Sequence, residues 1–175
     1  MTRILCLTFA AVLTLPTPLW AEKPLAQYFG ADNNCYGQAY TEADLAARPD
    51  QAVTAIRLTH FPRSEGFFDA QGRKVFYPDT PEIVVNLTIR HKGHEGPLLA
   101  TGFCWPDGTG MACGLECDAG QFSLTGTDKD TLLLTLTSKL QFDGCGGTST
   151  TLTTGDAKHG FEMRRLSADT CAPLD

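Results

Sequence analysis

No stretch of this chain stays apolar for the roughly 20 residues that a membrane-spanning helix requires. The longest run, Ile4–Leu15, stops short of that length. Basic residues are scarce too, with 14 Lys and Arg against 20 Asp and Glu and a net charge of −6. Nucleic acid and anionic lipid both demand clustered positive charge, so neither is expected as a partner. The short signatures of covalent catalysis, Gly-x-Ser-x-Gly and Ser-x-x-Lys, are missing. Segments with helical periodicity are missing as well, apart from one.

What the N-terminus does contain is a basic residue, Arg3, then the apolar Ile4–Leu15, then Pro16-Thr17-Pro18 and a small residue, Ala21. That order predicts a secretory signal peptide over residues 1–21, cleaved to leave a single β domain over 22–175. The leader removes one basic charge and no acidic one, which leaves the mature chain at net −7. After cleavage the chain is expected to be soluble, without membrane insertion, in the periplasm or outside the cell. A domain of this size buries enough surface to form a core without relying on disulfides.

The one helical segment is Glu42–Ala47, capped by Thr41, with Asp44 three residues on and Pro49 as a stop. Nearly everything else alternates with a period of two. Ala52–Phe61, Ile83–His91 and Thr131–Phe142 read as strands with one dry and one wet face. In the last, Leu132, Leu134, Leu136, Leu140 and Phe142 share the dry face, opposed by Thr135, Thr137, Lys139 and Gln141. Shorter strands are predicted over Leu98–Trp105, Met111–Asp118, Gln121–Gly126, Ser149–Thr154 and Phe161–Leu166, with a further hairpin from Phe67-Phe68 to Val75-Phe76-Tyr77. Links such as Pro106–Gly110 and Thr127–Asp130 are too short for parallel crossovers. The fold is therefore expected to be mainly β: a single antiparallel barrel or sandwich, with a calycin-like barrel as one form of the former, one short N-terminal helix and disulfide staples.

Of seven cysteines, Cys6 falls in the leader. The other six, Cys35, Cys104, Cys113, Cys117, Cys145 and Cys171, form an even set suited to an oxidising compartment. Six cysteines allow 15 connectivities. A turn at Pro106–Gly110 sets Cys104 opposite Cys113, within bridging reach. Cys35 and Cys171 lie near the two ends of the mature chain and are expected to be joined, tying down both termini, which leaves Cys117 to pair with Cys145. The alternative, a metal cluster of Cys104, Cys113 and Cys117, is the weaker reading in an exported chain.

Four histidines are present. His91-Lys-Gly-His94-Glu95 resembles a zinc motif only in composition. Its spacing is three rather than four, and Gly93, Gly96 and Pro97 make it a turn. His60 shares the apolar side of its strand with Ile56 and Leu58, which makes it a core residue or a ligand-binding one. Asp143–Thr148 is glycine-rich but lacks the lysine and helix of a phosphate loop. Asn86-Leu-Thr88 fits a glycosylation acceptor but lies inside a predicted strand. No catalytic residue, metal ligand or cofactor is indicated.

The segment Cys35-Tyr-Gly-Gln-Ala-Tyr40, followed by Leu45, Pro49, Gln51 and Val53-Thr54-Ala55-Ile56-Arg57-Leu58, resembles the opening of uncharacterised small exported proteins of Gram-negative bacteria. Gly102–Cys104, Ala112–Gly114 and Asp118–Phe122 are similar to their middle. The resemblance implies a periplasmic or secreted location and supplies no activity. Relative to that pattern Cys117 and Cys145 form an extra pair. The leading expectation is a non-enzymatic β-domain that binds a small ligand or an envelope protein. The alternative is an inhibitor of an extracellular hydrolase such as lysozyme, with a hydrolase built on His60 and Asp69 or Glu65 a third.

Overall fold

The computed structural model describes residues 28–29, 35–60, 67–68, 71, 74–75, 83–142, 150–157, 160–171 and 174. The predicted leader, Glu65, Asp69, Cys145 and His159 lie outside the described residues. Alternation along the chain produces β1 (Cys35–Ala39), β2 (Val53–His60), β3 (Phe67–Phe68), β4 (Lys74–Val75), β5 (Ile83–His91) and β6 (Leu98–Asp107). These are followed by β7 (Gly110–Leu115), β8 (Gln121–Asp128), β9 (Thr131–Leu136), β10 (Leu140–Gln141), β11 (Thr151–Leu152) and β12 (Phe161–Arg165).

Eight of these close into one antiparallel barrel in the order β1-β2-β5-β6-β7-β8-β9-β12, and β1 completes the ring by pairing with β12. Successive barrel strands are neighbours throughout, with β3–β4 and β10–β11 as side hairpins inserted between them. Closure leaves the barrel without an unpaired edge, which settles the choice between barrel and sandwich. The predicted helix, α1 (Glu42–Ala47), forms between β1 and β2. Thr41 and Asp44 cap it reciprocally: the Asp44 N–H donates to Thr41 Oγ1 at 3.2 Å, and the Thr41 N–H donates to Asp44 Oδ2 at 2.9 Å. Hydrogen bonds from Thr41 hold the Asp44 carboxyl below its usual pKa.

Two predicted strands end early. Met111–Asp118 turns at Leu115 into a short 3-10 segment, Glu116–Asp118, where Cys117 and Asp118 both have positive φ (60° and 55°). A ladder cannot continue through two left-handed residues. Thr131–Phe142 breaks after Leu136, because the Thr137 and Ser138 N–H groups both donate to the Gln121 carbonyl and swing the chain across the barrel end. Gln141 N–H then donates to Ala119 O at 2.7 Å. Gly120 permits this crossing: a Cβ there would collide with the Lys139 carbonyl, and its φ is +115°. Leu140 and Phe142 remain buried as expected, but they cap the barrel end rather than extend its wall.

The inward positions form one apolar core. Ile56, Leu58, Leu87, Ile89, Phe122, Leu124, Leu132, Leu134 and Phe161 are each at most 1% exposed. Two disulfides of the expected set are present, Cys35–Cys171 and Cys104–Cys113. Cys117 is disulfide-bonded as well.

Candidate functional site

The barrel has two ends and an outer wall. One end is formed by the start of β1 and the end of β2, where His60 points to the same side as Ile56 and Leu58, opposite Val85 of β5. The other end lies beside Val53, His91 and Leu136. His60 is the single ligand-binding residue expected from the sequence, and it sits at the first of these mouths.

Among the described residues, aromatic side chains converge on that mouth. Tyr36, the largest fully buried side chain of β1, reaches across it and donates from its hydroxyl to the Tyr28 carbonyl at 2.9 Å. Tyr28 in turn donates to the Asp128 carbonyl. Its ring lies directly on the backbone of Gly126, where any Cβ would meet it. Phe29 packs edge-on to Tyr36 with centroids 6.1 Å apart and lies 5.6 Å from the His60 ring. Arg165 of β12 stands over Tyr36 at 5.1 Å and holds Asp130 through Nε at 3.3 Å. Burial pushes the Tyr36 hydroxyl up to about 12, so it acts as a hydrogen-bond donor and not as an acid at neutral pH.

His60 is half-buried, and burial lowers its pKa below 6.5. Folding thus favours the neutral ring. The contribution is full above the unfolded value of about 6.5 and is lost as pH falls below it toward the folded value. Thermal unfolding should therefore show stability declining between pH 7.5 and 5.5 more steeply in the wild type than in His60→Phe. Identical slopes in the two proteins would contradict burial of this ring.

The β8–β9 turn beside the mouth carries Asp128, whose carboxylate accepts from Asp130 N–H at 2.8 Å and Thr131 Oγ1 at 3.0 Å, which hold it below its usual pKa. An open cleft of about 640 Å³ separates this turn from Arg164 and Ser167. Its charges are mixed, and Arg165 is already engaged by Asp130.

The remaining sequence candidates do not converge. His91 ends β5 and His94 is exposed in the turn that follows, with Gly93 and Gly96 at positive φ. Among the described residues no three metal-binding side chains come together. Asn86 lies within β5 and faces Thr101 of β6.

Sequence patterning missed the outer wall. Along β6 the inward residues Leu98, Gly102 and Cys104 alternate with Leu99, Phe103 and Trp105 facing out. Leu99 is 55% and Trp105 45% exposed, the two large apolar residues on the surface among the described residues. The signal was legible as apolar residues on both faces of one strand. Comparison of the chain with protein-family models, curated proteins and solved structures finds no match.

Proposed function

We propose that this protein is a non-enzymatic β-domain that acts by binding another protein on its outer surface, in the periplasm or outside the cell. The observation that carries this reading is the packed core of the barrel among the described residues. Among the described residues its inward side chains form one apolar cluster, which Tyr28, Tyr36, Leu140 and Phe142 join. A small-ligand barrel keeps a cavity of some hundreds of Å³ in that position. The exported location is supported by disulfides, which persist in oxidising compartments.

Titration with a fluorescent fatty-acid analogue tests the choice. No saturable uptake is expected. Stoichiometric uptake that His60→Phe abolishes would overturn the surface reading in favour of a ligand barrel.

The inhibitor of an extracellular hydrolase is a narrower form of the same proposal. It is favoured by the exposed acidic tips of the barrel turns, Asp107 and Asp128, on a chain of net charge −6.

A further inference from the structure

The outer wall of β5, β6 and β7 carries Leu99 and Trp105, the exposed large apolar residues among the described residues. On β6, Leu99, Thr101, Phe103, Trp105 and Asp107 occupy successive outward positions. Six residues at about 3.3 Å each separate Leu99 from Trp105 by roughly 20 Å. Opposite Trp105 and Phe103, β7 presents only Ala112 and Gly114. The Trp105 ring edge lies 3.9 Å from the place a Gly114 Cβ would take, so the indole lies across bare β7 backbone. Beneath this shelf the Cys104–Cys113 bridge ties β6 to β7, so the strands that carry it are cross-linked.

At the Leu99 end lies a groove of about 230 Å³, with Leu99, Ala100, Leu115 and Ala119 as apolar walls and Glu116 and Gln141 at its polar edge. Apolar walls ending at a carboxylate match the aliphatic stem and charged head of a lysine or arginine. Glu116 and Asp118 are exposed at this end of the stripe and Asp107 at the other. Arg90 is the single basic residue among the outward positions of β5, β6 and β7.

We infer that this wall is the docking surface for a basic protein, which lays an apolar contact along Leu99 and Trp105 and places a lysine or arginine in the groove beside Glu116. The inference rests on the surface-binding reading and gives it a location and a partner chemistry. An apolar centre with an aromatic anchor and a charged rim is the anatomy of a protein interface. A second copy of this chain is disfavoured as the occupant, because it would bring the same carboxylates and a net charge of −6 against this rim.

The probes are hen egg-white lysozyme as a basic folded protein and nona-arginine as a basic peptide, titrated by calorimetry against the full mature chain. Leu99→Gln and Trp105→Gln should each weaken lysozyme binding by about tenfold. Glu116→Lys should weaken both probes and flatten the salt dependence. Thr135→Gln, on the exposed face of β9, should leave both unchanged, and unaltered thermal unfolding of all four variants keeps the comparison fair. Equal binding by the wall variants and the wild type would overturn the assignment of this wall while leaving surface binding intact. Failure of the wild type to bind either probe would overturn the basic partner. Fatty-acid uptake, measured separately, is the result that removes the surface reading itself.

Discussion

Replacing Leu134 with alanine is expected to destabilise the protein by about 2–5 kcal/mol, the range for truncating a buried leucine in a packed core. Leu134 is fully buried at the middle of β9, between Leu124 of β8 and Phe161 of β12. All three side chains enter the barrel at one level. A cavity there has no mobile segment to fill it, because closed strands on either side hold the backbone in place. Thr135, the next residue, faces solvent, and Thr135→Ala should cost less than about 1 kcal/mol. Urea unfolding of both variants measures the difference. Equal losses would show that β9 does not have one inner and one outer face.

The second large effect is expected at the seam of the barrel. Between β1 and β12 only Tyr36 with Arg165 and Gly37 with Arg164 are paired, whereas β5 and β6 pair from Ile83–Cys104 to Ile89–Leu98. The Cys35–Cys171 bridge reinforces this short seam by fixing the first residue of β1 to the C-terminal segment, and Leu166 N–H donates to the Cys35 carbonyl beside it at 2.8 Å. The bridge spans 136 residues, for which chain-entropy reasoning gives about 5 kcal/mol as an upper figure. The double variant Cys35→Ala/Cys171→Ala should lose about 2–5 kcal/mol. Amide exchange should rise first at Tyr36, Gly37 and Arg164, with the β5–β6 ladder still protected. Unchanged stability, or uniform loss of protection around the ring, would contradict a seam held by this bridge.

The strands whose alternation is clean were legible in the sequence, β5 to the residue and β2, β6 and β12 to within one or two. The Cys104–Cys113 bridge followed from one turn, since Cys104 and Cys113 are directly opposed across it. β1 was not legible, because Gly37 and Gln38 interrupt any apolar period. Glycine is required there for a tertiary reason: a Cβ at Gly37 would meet the Leu166 side chain at 2.9 Å and the Ile56 carbonyl at 3.0 Å. Without β1 the ring cannot close, so the sequence left barrel and sandwich equal. The long run Thr131–Phe142 kept its period of two through the break at Thr137. Periodicity reports which side chains are buried and is blind to whether one wall or an end cap buries them. For the same reason Trp105 and Leu99 went unnoticed, since a strand with apolar residues on both faces reads as one more core element. His60 was rightly placed on the apolar face, but nothing local announces that Phe29 packs against it.

Methyl NMR on leucine-labelled protein tests the central claim most directly, because inner and outer methyls report in one spectrum. Oleate and hen egg-white lysozyme are added in separate titrations. Surface binding expects the Leu99 methyls to shift saturably with lysozyme, while those of Leu87 and Leu134 stay fixed with both additions. Saturable shifts of Leu87 and Leu134 with oleate, and a silent Leu99 with lysozyme, would contradict it.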